Sequence, residues 1–288
     1  MPHSRLASPS ATIAVLKRHG LYTRKSLGQH FLVDDNIVGR IVEVAGIEPG
    51  EPVLEIGPGI GTLTDALLGA GATVVAVEYD RRLLPVLEEL DAGPALTVVN
   101  ADAVSVPISA LTTPAGVPRA LVANLPYAVA ATVVLRLFEE MPSLDRAIVM
   151  VQAEVADRMS AVPGTKEYGS YTVKLALRAR VSARFPVPRS CFLPPPRVDS
   201  AVIRLDRAES PAAGPAVVVA AARAADAAFT QRRKTLRNSL AAGLGVPVAE
   251  ADALLASAGI DGSVRAETLD RAAYLALGAV LQAASGRS

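Results

Sequence analysis

The chain reads as an α/β protein: a mostly parallel sheet covered by helices on both faces, followed by a small helical domain. Three observations carry that reading. Through the first 150 residues, short apolar runs alternate with segments of helical periodicity. That is the pattern of a parallel sheet whose strands are buried on both sides. The first clear run feeds a glycine-rich loop, Glu55-Ile56-Gly57-Pro58-Gly59-Ile60-Gly61. From Ala216 onward the sequence is rich in alanine and leucine at helical spacing.

The elements follow in order. Residues 11–19 fit a short helix, with Gly20 suited to its C′ position. Asp34 or Asp35 can cap a second helix, in which Ile37, Ile41 and Val44 recur at helical spacing until Gly46. Residues 52–56 read as a strand and 62–68 as a helix. Residues 73–77 are a second strand and 83–90 a helix. Residues 96–99 and 120–123 are the third and fourth strands, 130–140 a helix, and 147–151 the fifth strand. Residues 171–179 stay open: Tyr171, Val173, Leu175 and Leu177 alternate like a strand, yet Ala176 and Ala179 suit a helix. Residues 181–187 and 198–205 read as closing strands, joined through the stiff connector Pro194-Pro195-Pro196. Residues 208–215 have linker composition. The expected organisation is a tail or short helix over 1–20, a large α/β domain over 21–207, a linker over 208–215 and a small helical domain over 216–288.

Composition narrows the function. The chain has 288 residues, 51% of them apolar, enough for a large domain and a small one. One cysteine, Cys191, leaves no internal disulfide framework and fits a reducing, cytoplasmic setting. With three histidines and one cysteine, no metal-binding cluster is expected. No apolar run approaches ~18 residues, so no membrane segment is expected. The net charge of +1 conceals an uneven distribution. Residues 51–150 carry five basic and twelve acidic groups, whereas residues 151–240 carry fifteen and seven. An acidic half beside a basic segment suits a polyanionic partner, although solvated faces that average out give the same count.

Glycine loops after a first strand usually hold a dinucleotide. Here Pro58 has no N–H to give a phosphate, and Glu55 puts a carboxylate where a pyrophosphate would be repelled. The loop suits S-adenosylmethionine, which has no phosphate and carries an amino group and a positive sulfur. Glu78 ends the second strand, where a carboxylate can accept from both ribose hydroxyls. Asp102 follows the third strand, where it can accept from an adenine amine or cap a helix. Ligand crevices of open α/β sheets lie outside the carboxyl ends of the strands, and these acids fall there together.

After the fourth strand comes Asn124-Leu125-Pro126-Tyr127. The Asn124 side-chain oxygen and the Leu125 carbonyl can both accept from an exocyclic amine. Pro126 biases Leu125 toward an extended conformation, and Tyr127 offers a face for base stacking, worth roughly 1–3 kcal/mol. Taken alone, the four residues fit an adenine clamp and a buried turn about equally.

Several stretches resemble one family. Gln29-His30-Phe31-Leu32, the glycine loop, Asn124-Leu125-Pro126-Tyr127, residues 192–201 (FLPPPRVDSA) and residues 231–238 (QRRKTLRN) are similar to the KsgA/RsmA family of small-subunit ribosomal RNA adenine dimethyltransferases. The resemblance runs from about Lys25 to about Leu277. The glycine loop is common to many methyltransferases, and the last two stretches are far more specific. The resemblance implies a Rossmann-like, S-adenosylmethionine-dependent methyltransferase sheet of seven mostly parallel strands with a C-terminal helical domain. It implies N6,N6-dimethylation of two adjacent adenosines in the 3′-terminal hairpin loop of 16S rRNA, late in ribosome biogenesis. The expected substrate is the immature small subunit, and the free protein is expected to be a monomer.

Carried over by motif, His30 and Leu32 would line the cofactor site and Gly57 would contact the methionine end. Glu78 would hold the ribose and Asp102 the adenine amine, and Asn124 would border both ligands. Many relatives have Asn where this chain has His30, so an altered contact is expected there. Tyr127 and Phe192 would stack on opposite faces of a flipped base; without the resemblance, Phe192 reads as a core residue. Arg232, Arg233, Lys234 and Arg237, within two turns of an expected helix, would contact RNA phosphates. Three other functions compete: an Erm-type enzyme acting on 23S rRNA, an assembly factor whose binding matters more than its catalysis, and a dinucleotide-dependent dehydrogenase.

Overall fold

A computed structural model describes residues 3–22, 29–208 and 214–285. Most of the expected linker, and the Lys25 end of the resemblance, lie outside the described residues. The chain divides into two compact units. One comprises Met1–Ala156 and Val181–Arg207, the other Asp157–Arg180 and Ala208–Ser288. The second is therefore discontinuous in sequence.

The elements in chain order are α1 (Pro9–Arg18), β1 (Phe31–Leu32), α2 (Asp35–Ala45), β2 (Pro52–Ile56), α3 (Thr62–Gly69), β3 (Thr73–Glu78), α4 (Leu84–Glu88), β4 (Leu96–Asn100), β5 (Ala120–Asn124), α5 (Ala130–Glu140), β6 (Arg146–Gln152), α6 (Ala153–Met159), α7 (Ser170–Ala176), β7 (Ala179–Val187), β8 (Phe192–Leu193), β9 (Ser200–Arg207), α8 (Gly214–Ala228), α9 (Leu236–Leu244), α10 (Val248–Ser257) and α11 (Arg271–Ser285). The N-terminal segment is a helix because its ends are well provided. The Ser8 side chain accepts from the Ala11 N–H, Pro9 sits where a missing N–H costs nothing, and Lys17 and Arg18 face the negative end of the dipole. In α2 the Asp34 carboxylate caps the N–H groups of Asn36 and Ile37, and Gly46 closes the other end in the left-handed region. Its buried stripe, Val38, Ile41, Val42 and Ala45, packs on the sheet.

Seven strands form one sheet in the order β4-β3-β2-β5-β6-β9-β7. The pairs β4–β3, β3–β2, β2–β5 and β5–β6 are parallel, and β9 runs antiparallel to β6. The chain winds from β2 outward to β3 and β4, then crosses back to β5 on the other side of β2. The carboxyl ends of β2 and β5 thus flank the topological switch point, where such sheets hold ligands. The strand interiors are buried Val, Ile, Leu and Ala on both faces, as two-sided covering demands. A second, two-stranded sheet pairs β1 with β8 antiparallel, Phe31 opposite Leu193 and Leu32 opposite Phe192.

Several arginines of the basic segment serve the fold. Arg204 donates to the Val44 carbonyl at 2.6 Å, and Arg207 to the carbonyls of Leu144, Phe138 and Met141. Those charges close helix and strand ends and are spent internally, so the count of fifteen overstates the surface open to a polyanion.

The second unit has its own core, including Tyr168, Val173, Leu236, Leu240, Tyr274 and Leu277. Gly278 lets α11 touch α8 backbone to backbone. A Cβ there would lie 2.7 Å from the Val217 carbonyl and the Ala221 nitrogen. The open stretch 171–179 resolves as helix α7 followed by the start of β7. Thr172, Val173 and Leu175 are all buried, so the apparent alternation did not mark a single face.

Candidate active site

The carboxyl end of β2 runs straight into the glycine loop, whose first amide, Gly57 N–H, donates to the Val77 carbonyl of β3 at 2.9 Å. Gly57 and Gly59 both sit at positive φ, +68° and +63°. A Cβ on Gly57 would lie 3.5 Å from Pro126, and one on Gly59 would lie 3.2 Å from the Phe31 ring. The glycines therefore let the loop after β2 approach both the loop after β5 and strand β1. Between these pieces lies a cavity of about 510 Å³, within the range of small-molecule sites. Its walls are residues 29–32, 55–59, 77–80, 101–103 and 124–129, with Thr62, Leu63 and Leu83. All belong to the first unit. His30, Leu32, Gly57, Glu78, Asp102, Asn124, Leu125, Pro126 and Tyr127, far apart in sequence, all line this cavity.

The acids are unevenly placed. Glu78 is buried at the end of β3, and its two oxygens accept from the Gly59 N–H at 3.1 Å and the Asp80 N–H at 2.7 Å. Burial pushes its pKa up, against those backbone donors. A carboxylate has about four acceptor positions, so these backbone donors leave room for a ligand's hydroxyl. Asp102 is exposed at the rim, one oxygen accepting from the Val104 N–H at 2.8 Å. It closes a turn over 103–105 and caps no helix, with its other oxygen unengaged by that bond.

Glu55 departs from expectation. It is 1% exposed, receives the Thr64 hydroxyl at 2.7 Å, and burial raises its pKa to about 8. At neutral pH it is mainly the uncharged acid. The repulsion of phosphate attributed to it therefore falls to Glu78, Asp80 and Asp102, with Pro58 still denying a donor. Thr62 was missed in the sequence. It is 5% exposed, its hydroxyl has no partner among the described residues, and it lines the cavity. An orphaned buried hydroxyl is costly, which suits a polar ligand. Positive-φ glycines, a carboxyl group at the end of β3, the orphan Thr62 and acidic walls together fit S-adenosylmethionine.

Asn124 is fixed at both ends. Its backbone pairs with Met150 on β6, and the following Leu125 N–H donates to the Met150 carbonyl at 3.1 Å. Its side-chain Nδ2 donates to the His30 carbonyl at 3.2 Å. Because that partner can only accept, the amide orientation is defined and Oδ1 remains an acceptor. His30 Nδ1 donates to the Pro194 carbonyl at 2.8 Å. Its ring lies 6.0 Å from that of Tyr127 at an angle of 20°. The Tyr127 hydroxyl bonds Ser200 Oγ at 2.8 Å.

Phe192 is a correction. It is 2% exposed and packs in the apolar cluster containing Leu32, Val38 and Ile41, away from the cavity walls. Pairing of β8 with β1 turns Phe192 into the core, and it presents no face to a base. The basic run is a second correction. Arg232, Arg233 and Lys234 lie in a turn, and only Arg237 is on a helix, α9, which begins after Thr235. Arg232 donates to the Lys166 and Tyr168 carbonyls at 2.9 and 3.1 Å, and Arg237 lies 4.0 Å from Asp252. Arg233 and Lys234 are exposed. Among the described residues, no group of three or more His, Cys, Asp or Glu could hold a metal ion, and no single helix is long and apolar enough to cross a membrane.

Comparison with known proteins finds similarity over nearly the whole chain. The family described as "Ribosomal RNA adenine dimethylase" matches residues 20–283. A protein of Rhodococcus opacus (strain B4) named "Ribosomal RNA small subunit methyltransferase A" is 47% identical over 285 residues, covering 95% of this chain and 94% of its own. Among solved structures, a dimethyladenosine transferase from Plasmodium falciparum superposes with a TM-score of 0.72 at 25% identity, covering 86% of this chain and 96% of that one. The 23S rRNA methyltransferase ErmE superposes with a TM-score of 0.64 at 29% identity, covering 87% and 99%.

Proposed function

The chain belongs to the ribosomal RNA adenine dimethylase family, and from that premise we infer that it dimethylates N6 of two adjacent adenosines in the 3′-terminal hairpin loop of 16S rRNA, using S-adenosylmethionine. The observation that carries this reading is the Asn124 carboxamide, locked by the His30 carbonyl at the switch point beside an acid-lined cavity. When bound, S-adenosylmethionine supplies an electrophilic methyl group on a positive sulfur. Every other task falls to the chain.

Glu78 accepts from the ribose hydroxyls, Asp102 from the adenine amine, and Gly57 lets the backbone approach the methionine end, with His30 and Leu32 closing that side. The adenine N6 lone pair of the substrate is delocalised and poorly nucleophilic. Asn124 Oδ1 and the Leu125 carbonyl accept its two hydrogens, favour a pyramidal nitrogen and aim it at the methyl group. Positioning of that kind can contribute several kcal/mol. Pro126 keeps Leu125 extended, and Tyr127 stacks on the flipped base. No strong general base is required, because the nitrogen becomes acidic once alkylated.

The helical unit is the RNA-binding domain, with Arg233 and Lys234 the most available phosphate contacts and Arg232 and Arg237 partly committed internally. The substrate is the immature small subunit in the cytoplasm, and the free protein is a monomer. The ErmE likeness supports a second reading, in which the target is 23S rRNA. Primer extension on both rRNAs after incubation with S-adenosylmethionine and unmethylated small or large subunits separates them. Stops at two adjacent adenosines near the 3′ end of 16S rRNA are expected. Stops in 23S rRNA alone would overturn the assignment.

A further inference from the structure

We propose that Ser200 is a positioning residue that sets the plane of Tyr127 and thereby sustains the second of the two methyl transfers to each adenosine. This rests on the functional reading above and deepens it. Ser200 opens β9 and stands opposite Gln152 of β6 in the antiparallel ladder. It is 1% exposed and not part of the cavity wall, so it touches neither ligand. Its Oγ lies 2.8 Å from the Tyr127 hydroxyl, a bond from the rigid sheet to the tip of a half-buried ring.

The ring is also flanked on one face by the His30 imidazole, 6.0 Å away and 20° from parallel, itself tethered to the Pro194 carbonyl. A tyrosine has two side-chain torsions, and a tip bond with one supported face restrains both. The base then stacks on the face opposite His30, on a ring already oriented before RNA arrives. The Tyr127 hydroxyl takes no part in proton transfer. Burial holds its pKa above the ordinary tyrosine value, and its near partner is a serine.

Two transfers make unequal demands on such a ring. In the first, N6 brings two hydrogens to Asn124 Oδ1 and the Leu125 carbonyl. In the second, the monomethylated N6 brings one, so retention and aim of the base depend more on stacking. Loss of ring orientation therefore slows the second transfer more than the first and releases monomethyladenosine. A defect that merely loosened the fold would slow both alike.

Single-turnover methylation of unmethylated small subunits, with monomethyl- and dimethyladenosine quantified by mass spectrometry of rRNA digests, reads the ratio of second to first transfer rates. Ser200→Ala is expected to lower that ratio roughly threefold to tenfold, the effect of one neutral hydrogen bond, with cofactor affinity unchanged. Tyr127→Phe is expected to lower it equally, and the double variant no further, because both changes remove one bond. A wild-type ratio in Ser200→Ala, equal slowing of both steps, or additive losses in the double variant would overturn the proposal. Failure of the wild-type protein to methylate adenosine at all would instead sink the functional reading.

Discussion

Replacing Glu55 with glutamine removes a fully buried carboxyl group whose ionisation the fold strongly opposes. Its pKa rises from 4.5 to about 8 on folding, burial being the main cause and the nearby Glu78 charge a lesser one that also raises it, against the Thr64 hydroxyl. Below pH 4.5 both folded and unfolded states are protonated and the group costs nothing. As pH rises from 4.5 to 8, the unfolded chain loses the proton while the folded one keeps it. Folding stability therefore falls by about 1.4 kcal/mol per pH unit, about 5 kcal/mol in all. Glutamine keeps an acceptor for Thr64 and never ionises. The stability of Glu55→Gln relative to the parent should thus climb by about 5 kcal/mol between pH 4.5 and 8 and then level off. Urea unfolding of both proteins across that range measures it. At a slope of about 3 kcal/mol per M, the midpoints should diverge by more than about 1 M. Parallel pH profiles would refute the reasoning. Because Glu55 is already mostly uncharged at pH 7, cofactor binding at that pH should survive the change.

Gly59→Ala should cost about 1–2 kcal/mol of stability for a left-handed alanine and weaken S-adenosylmethionine binding in a calorimetric titration, since the new methyl group meets the Phe31 ring at 3.2 Å. Reversing Arg233 and Lys234 to glutamate should weaken binding of the small subunit and flatten its logarithmic salt dependence by about one to two, read by filter binding at several salt concentrations.

Much of the sheet unit was legible because its signals are local and redundant. The strand at 52–56 and the helix at 130–140 were bounded correctly by apolar runs, and Gly46 marked a helix end by its need for positive φ. The expected helix over 83–90 is shorter as an α-helix, because a 3₁₀ turn precedes Leu84 and the chain leaves the helix at Glu89. The site was legible wherever a residue follows a strand, since the switch point gathers those ends whatever lies between them.

What escaped the sequence depends on tertiary context. Nothing in Phe192 distinguishes a stacking ring from a core ring, and only the pairing of β8 with β1 decides for the core. The orphaned hydroxyl of Thr62 and the Ser200–Tyr127 bond join residues with no shared local pattern. The basic run at 232–237 kept its charge but not its helix: α9 begins only after Thr235, and Arg232 and Arg237, though solvent-accessible, already reach the Lys166 and Tyr168 carbonyls and Asp252. Glu55 looked like an anion in sequence, and complete burial made it an acid.

The central claim is that Asn124, at the end of β5, aims the substrate amine at the methyl donor. Asn124→Ala with unmethylated small subunits and isotopically labelled S-adenosylmethionine tests it most directly, alongside the cofactor dissociation constant of the same variant. Loss of label transfer to 16S rRNA with only modestly weaker cofactor binding is the predicted result. Near-normal transfer by that variant would contradict the account.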